Sequence, residues 1–345
     1  MSKKGESLTR REFVLQVGLG VAGLAVASPA KLALSAASAT KDGMGYRVLG
    51  RTGLEISEVA LGAGSISPSG ANLIRAALSQ GINFIETSSN YKNSHVETAI
   101  GQVVKSMGNR DKVFILTKAG NVEIGRMLDA PAAEVEKAVR AELEASLKRL
   151  QTDYVDVYTC PYMGFSPKEV TFPAVHEAME KFKKEGKIRF KGLSTHSDYV
   201  NICMAALDGG YYDVIQFPVN FATVLPRVRE AVLEAKKAEK SAGPAAKTGE
   251  AGFERPILDV REVLRVAQQK NIGVVAMKGA QESFLPPSMR EQVKNELAKG
   301  TTLSWHQFAY RFVLDQPQVS TVAVRMANMA HLNEALLLPQ KTLKG

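Results

Sequence analysis

Cysteine is nearly absent: Cys160 and Cys203 are the only two in 345 residues. Two thiols cannot form a disulfide framework, and no four-cysteine iron–sulfur or zinc site can be built from this chain alone. A single bridge remains open, but the two fall in different predicted strand–helix units and read as free, partly buried thiols. Apolar runs long enough to cross a bilayer are also missing. The stretch from Val14 to Ala27 is shorter than the roughly 20 residues a span needs, and Pro29 and Lys31 follow it. No Arg/Lys-rich stripe alternates with aromatics, so the net charge of +9 is read as a solvated basic surface and not a nucleic-acid footprint. A Gly-x-Gly-x-x-Gly phosphate loop is lacking too, Gly62-Ala-Gly64 being only a fragment of one, which argues against an open dinucleotide-binding sheet.

What is there begins with a leader. Thr9-Arg-Arg-Glu-Phe13 precedes a weakly hydrophobic, Gly/Ala-rich stretch, and Ser35-Ala-Ala-Ser-Ala39 follows. This is the three-part layout of an export signal, and the paired arginines with Phe13 resemble the twin-arginine (Tat) class. The expectation is a signal peptide over residues 1–39, cleaved near Ala39, that uses the Tat machinery to deliver a folded, non-membrane-spanning protein to the periplasm. Export after folding points in turn to a cofactor inserted beforehand.

Beyond residue 41, short Val/Ile-rich runs alternate with segments of helical apolar spacing, the pattern of βα units around a parallel sheet. The predicted strands are 59–63, 82–87, 113–118, 155–160, 190–194, 214–217, 274–278 and 321–324. Helices are predicted over 71–80, 96–106, 131–150, 173–185, 199–207, 257–270, 304–314 and 330–337. Eight strands can close, so the fold class is α/β, a (β/α)8 TIM barrel over residues 46–338. Arg51-Thr-Gly53 lies between two short apolar runs and reads as an N-terminal β-hairpin cap on the barrel's bottom. Residues 236–254, poor in apolar side chains, read as a solvated insertion or an extended helix end.

Four segments carry a family resemblance: Tyr46-Arg-Val-Leu-Gly-Arg-Thr-Gly53, Gly81-Ile-Asn-Phe-Ile-Glu-Thr87, Asp153-Tyr-Val-Asp-Val-Tyr158 and Gly186-Lys-Ile-Arg-Phe-Lys-Gly-Leu-Ser194. Together, and in this order, they resemble the aldo/keto reductases. The resemblance implies a nicotinamide cofactor across the C-terminal ends of the strands, a Tyr that gives a proton to the substrate, a Lys and an Asp that tune it, and a His that orients the carbonyl. The Tyr falls on Tyr91 and the Lys on Lys118. The Asp position holds Glu86, one methylene longer. The His position holds Pro161, whose side chain has no donor, leaving Tyr162, Cys160 or His196 as compensating candidates and His95 as a loop alternative. A small-molecule substrate with a carbonyl or an activated double bond is implied; the alternative is a barrel that binds a cofactor or ligand without turnover.

On the cofactor side, Ser194, Thr195 and Gln216 match contacts to the nicotinamide amide. Val219 replaces the aromatic that normally stacks on the ring, with Phe217 and Phe221 read as core. Lys278 begins the loop over the pyrophosphate. Arg325 stands near the 2′-phosphate position, which favours NADP(H). Glu334 matches the acid beside adenine, and His331 stands where an Arg is common.

Overall fold

A computed structural model describes residues 40–41, 43–241, 257–281, 285, 287–298 and 300–338. The expected leader and most of the 236–254 segment lie outside the described residues.

Eight parallel strands close into a barrel: β4 Val59–Gly62, β5 Phe84–Glu86, β6 Phe114–Lys118, β7 Val155–Tyr162, β8 Ile188–Ser194, β9 Val214–Pro218, β10 Gly273–Met277 and β11 Thr321–Arg325. The last strand returns to pair with the first, Val322 opposite Val59. All eight coincide with the predicted strands to within about three residues at an end, since boundaries fray more than cores.

Period two sorts each strand. Phe84, Phe114, Leu116, Val157, Phe190, Val214 and Val275 point inward and form the apolar floor of the barrel. Their neighbours Ile85, Ile115, Tyr158, Cys160, Ile215 and Val274 point outward to the helices. Those helices bury one stripe each. Pro173–Lys184 turns Val175, Ala178, Met179 and Phe182 inward and places Lys181, Lys183 and Lys184 in its last turn, where cations offset the carbonyl end of the dipole. Trp305–Leu314 starts from a capping box in which Ser304 Oγ accepts from Gln307 N.

Four helices were not expected: Pro167–Val170, Phe221–Val224, Pro226–Ser241 and Pro287–Leu297. Three of them open on proline, which looks like loop punctuation in the sequence but is favoured at the first helical position, where no N–H is needed.

The hairpin is also present. β2 Met44–Val48 pairs antiparallel with β3 Glu55–Ser57, and the two-residue β1 Thr40–Lys41 adds to its edge. Its tip plugs the bottom: Leu49, Leu54 and Ile56 complete the floor cluster. Arg51 ties the plug to the barrel through Asp213 Oδ1 at 2.9 Å and the Tyr212 carbonyl at 2.8 Å. Gly50, at φ +49°, lies so close to the β10 entrance that a Cβ there would meet Gly273 N at 2.2 Å, so only glycine fits. The expected cap is therefore part of the core. Leu49→Ala should destabilise the protein by about 2–5 kcal/mol, the usual cost of a cavity left by a buried leucine. Urea unfolding checks this; a loss below about 1 kcal/mol would mean that the plug adds little to the core.

Candidate active site at the barrel mouth

The period that buries the floor aims the opposite end. Glu86 ends β5 two residues after Phe84, Lys118 ends β6 two after Leu116, and Gln216 follows Val214 by two on β9, so all point into the mouth. Ser194 and Arg325 end β8 and β11. Conserving the inward face across strand ends is how a barrel gathers distant residues.

Lys118 is 1 % exposed and Glu86 is 5 % exposed, which puts both charges out of reach of bulk water. The Lys118 Nζ is satisfied by Glu86 Oε1, by the Thr87 carbonyl at 2.6 Å and by the Tyr91 hydroxyl at 3.4 Å. The Tyr91 hydroxyl donates to the same Glu86 oxygen at 3.2 Å. Three groups thus converge on one point. Burial pushes the Lys118 ammonium below its ordinary value, with Glu86 opposing the shift. Burial likewise raises the Tyr91 phenol well above its ordinary value, and here the Glu86 charge and hydrogen bond add to the rise. The Glu86 side chain reaches both partners, takes up the ammonium and, together with burial, keeps Tyr91 protonated.

Tyr91 is positioned by a strained loop. Lys92, Asn93 and Ser94 are consecutive left-handed residues at φ +47°, +52° and +70°, each of which costs free energy without a glycine. The Ser94 hydroxyl returns to the Ser89 carbonyl at 2.6 Å, and Tyr91 N to the Ser88 carbonyl at 3.1 Å, holding the turn closed.

Of the expected cofactor contacts, Ser194 and Gln216 are opposite each other in the β8–β9 register. Ser194 Oγ and Gln216 Oε1 are buried without a hydrogen-bond partner in the protein. Such atoms cost stability unless something pairs with them, and a hydroxyl beside an amide oxygen suits a carboxamide. Thr195 departs from expectation. It points the other way, its hydroxyl donating to the Gly164 carbonyl at 2.9 Å, so it anchors a loop. Lys278 adopts φ +60° just after β10, with its carbonyl accepting from Asn220 Nδ2 at 3.4 Å. Arg325, Glu334 and His331 share a recess with His306 and Tyr310. The Arg325 guanidinium is held by Ser65 Oγ, and Glu334 accepts from Ser304 Oγ.

The compensating candidates sort themselves. Cys160 faces the helical layer, and burial pushes its thiol far up, so it takes no part in the mouth. His95 is exposed on the first turn of its helix. His196 is half-buried beyond β8. Val219 lies in the core with its N–H on the Met277 carbonyl at 3.1 Å, so it offers no ring to a nicotinamide. Phe217 and Phe221 do not replace it: Phe217 packs outward, and Phe221 stacks on Phe308 and Phe312 with centroids 5.1 and 4.1 Å away. Cys203 is buried and free, as is Cys160.

The sequence reading missed Asn90. Its Oδ1 accepts from Ser88 Oγ at 2.9 Å and its Nδ2 donates to the Gly120 carbonyl at 3.1 Å. Gly120 is required there, since a Cβ would meet Asn90 Cγ at 2.7 Å. The Ser-Ser-Asn-Tyr run beside Tyr91 was the available signal.

Among solved structures, the fold is similar to the holo form of aldo-keto reductase AKR11C1 from Bacillus halodurans, with a TM-score of 0.63 over 87 % of this chain and 92 % of that one at 21 % identity. It is also similar to an aldo-keto reductase from Klebsiella pneumoniae in complex with NADPH, with a TM-score of 0.58 at 22 % identity over 86 % and 90 % of the two chains. At such identities the likeness speaks for the fold. By sequence, the chain is 32 % identical over 193 residues to L-galactose dehydrogenase of Arabidopsis thaliana, covering 52 % of this chain and 59 % of that protein. It is 33 % identical over 163 residues to the aldo-keto reductase YhdN of Bacillus subtilis, covering 45 % and 48 %. The match therefore spans about half the length of these curated relatives. The profile of the Aldo/keto reductase family matches residues 58–244, more than half of the chain. With the closed barrel and the Tyr91–Lys118–Glu86 cluster at its mouth, the chain belongs to the aldo/keto reductase family.

Proposed function

We propose that this protein is an exported, NADP(H)-dependent oxidoreductase that reduces a carbonyl or an activated double bond of a small molecule, with Tyr91 as its proton donor. The observation that carries this reading is the convergence of Tyr91, Lys118 and Glu86 at the barrel mouth. When bound, NADPH supplies the hydride. Ser194 and Gln216 are the groups to hold its carboxamide, and their unpaired buried oxygens fit that role. Arg325, set by Ser65, would meet the 2′-phosphate, with Glu334 and His331 toward the adenine and Lys278 toward the pyrophosphate.

Tyr91 holds its proton at the phenolic oxygen at neutral pH because burial and Glu86 both disfavour the phenolate. That suits an acid. As negative charge develops on a substrate oxygen, a stronger base than phenolate is generated and the proton moves downhill. Lys118, the nearest cation, stabilises the phenolate left behind, and Glu86 holds Lys118 in place.

Support for export comes from Arg10-Arg11 and the weakly apolar stretch after them. The domain reading is a signal peptide over 1–39, the barrel over 46–338 and an insertion over 236–254. A second reading, a barrel that binds cofactor or ligand without turnover, is favoured by one observation: Val219 lies in the core where the family carries a stacking aromatic.

Tyr91→Phe should lower carbonyl reduction by about 10²- to 10⁴-fold, the usual worth of a positioned general acid, and leave NADPH affinity unchanged in a fluorescence titration. NADPH binding with no turnover by the unaltered protein, across aldehydes, ketones and enones, would instead establish the binding barrel. The pH dependence of kcat/KM gives an independent check. Since Tyr91 stays protonated to well above its ordinary value of 10.0, the rate should show no alkaline fall from this group below that pH. Glu86→Gln removes two of the influences that raise the phenol, so its alkaline limb should move to lower pH; an unmoved limb would assign it to another group. Replacing Arg10 and Arg11 together by Lys should trap the protein in the cytoplasm, scored by cell fractionation. Unchanged periplasmic recovery would sink the Tat reading.

A further inference from the structure

We propose that Tyr162 is the hydrogen-bond donor that grips the substrate's carbonyl oxygen opposite Tyr91, moved into the inward-facing layer by a bulge in β7. The inference rests on the reductase reading above. On β8, Phe190, Gly192 and Ser194 alternate at period two, and Phe190 belongs to the inward floor. On β7, Val157 and Thr159 stand opposite Phe190 and Gly192. Thr159 faces inward, since a Cβ on Gly192 would meet its Oγ1 at 2.7 Å. Strict pairing would next set Pro161 against Ser194. Instead Tyr162 pairs with Ser194, so three steps on β7 answer two on β8. An extra residue of this kind re-aims the side chain that follows it. The inward place that Pro161 would leave without a donor therefore falls to a phenol.

The loop beyond is pinned in that register. Gly164 N donates to the Ser194 carbonyl at 3.2 Å, and Thr195 Oγ1 donates to the Gly164 carbonyl at 2.9 Å. Tyr162 is half-buried at the end of β7 and is not sealed into the core. Its neighbourhood is the same mouth. Burial raises the Tyr162 phenol above its ordinary value, with Asn90 opposing the rise and the Glu86 charge adding to it, and the same Glu86 charge acts on Tyr91.

Asn90 has two N–H donors and one carbonyl oxygen. Its oxygen already accepts from Ser88, and one N–H goes to Gly120. The remaining N–H is left for the Tyr162 oxygen, so that the Tyr162 proton is free to go to another acceptor. A carbonyl oxygen set between the Tyr91 and Tyr162 hydroxyls receives two neutral donors, one that transfers its proton and one that stabilises developing charge. No bond to Tyr162 forms or breaks.

The test is Tyr162→Phe in the full chain, with Tyr162→His beside it. Loss of the hydroxyl should lower kcat/KM for aldehydes and ketones by about 10²-fold, mostly through kcat, as for removal of one donor to a developing oxyanion. NADPH affinity and thermal midpoint should stay as in the native protein. His, which restores an N–H donor, should recover much of the rate. A rate within twofold of native in Tyr162→Phe, or a loss that His does not relieve, overturns the assignment. A readout without turnover separates this from the reductase reading: calorimetric binding of benzamide, an unreactive carbonyl compound, with NADP⁺ present. Weaker benzamide binding in Tyr162→Phe supports the donor even if no carbonyl is reduced. Equal binding by the two proteins, or none by the native protein, overturns it. Tyr91→Phe with full reductase activity would instead overturn the proton-donor reading alone.

Discussion

Lys118 carries an ammonium into the interior of a barrel, where it is shielded from water on every side, and the rest of the mouth is arranged around that fact. Taking such a charge out of water costs several kcal/mol, and only close partners make it tolerable. Glu86 and the Thr87 carbonyl meet it directly. Both come from the end of β5, next to β6 in the sheet, and Glu86 lies opposite Leu116 in register. The pair therefore depends on strand order and register, not on flexible side chains finding each other. Tyr91 completes the arrangement from the following loop, by donating to the oxygen that neutralises Lys118. A carboxylate shared between an ammonium and a phenol couples their protonation. The phenol stays an acid because its burial, and then the carboxylate beside it, disfavour a negative charge there.

Most of the barrel was legible in the sequence because its strands are short apolar runs between helices of clear period, and eight of them admit few other architectures. The hairpin was legible from Arg51-Thr-Gly53, though not its depth: nothing local says that Leu49 and Ile56 share a cluster with Val275. Proline-led helices were missed because proline marks both loop ends and helix starts. In the site, Tyr91, Lys118 and Glu86 were found by resemblance, and their convergence follows from alternation along the strands. The direction of the Tyr91 shift was not legible. It is set first by the burial of the phenol and then by the Glu86 charge and hydrogen bond, which depend on packing around the mouth. Thr195 was misjudged for a related reason. It follows an inward residue, so it points out, and alternation was a better guide there than positional likeness to the family.

Floor and mouth are written on the same strands. Phe84 and Glu86, Leu116 and Lys118, Val214 and Gln216 are each two residues apart, so the residue that fills the interior also fixes the aim of the one that faces the substrate. This coupling limits how such a site can change. Sliding a strand by one residue would turn its polar end into the helical layer and its outward apolar residues into the barrel. A substitution in place, of an inward donor by a residue without one, simply removes a group. A bulge escapes both limits. In β7 the register holds through Val157 and Thr159, so the floor is untouched, and shifts only beyond them, where it changes the side chain presented to the mouth. Since the shift is paired against Ser194 and locked by Gly164 and Thr195, the cost falls on a loop and not on the core. The mouth can thus exchange one donor for another while the buried Lys118–Glu86 pair keeps its geometry, since Lys118 pairs with Thr159 on β7, before the shift begins.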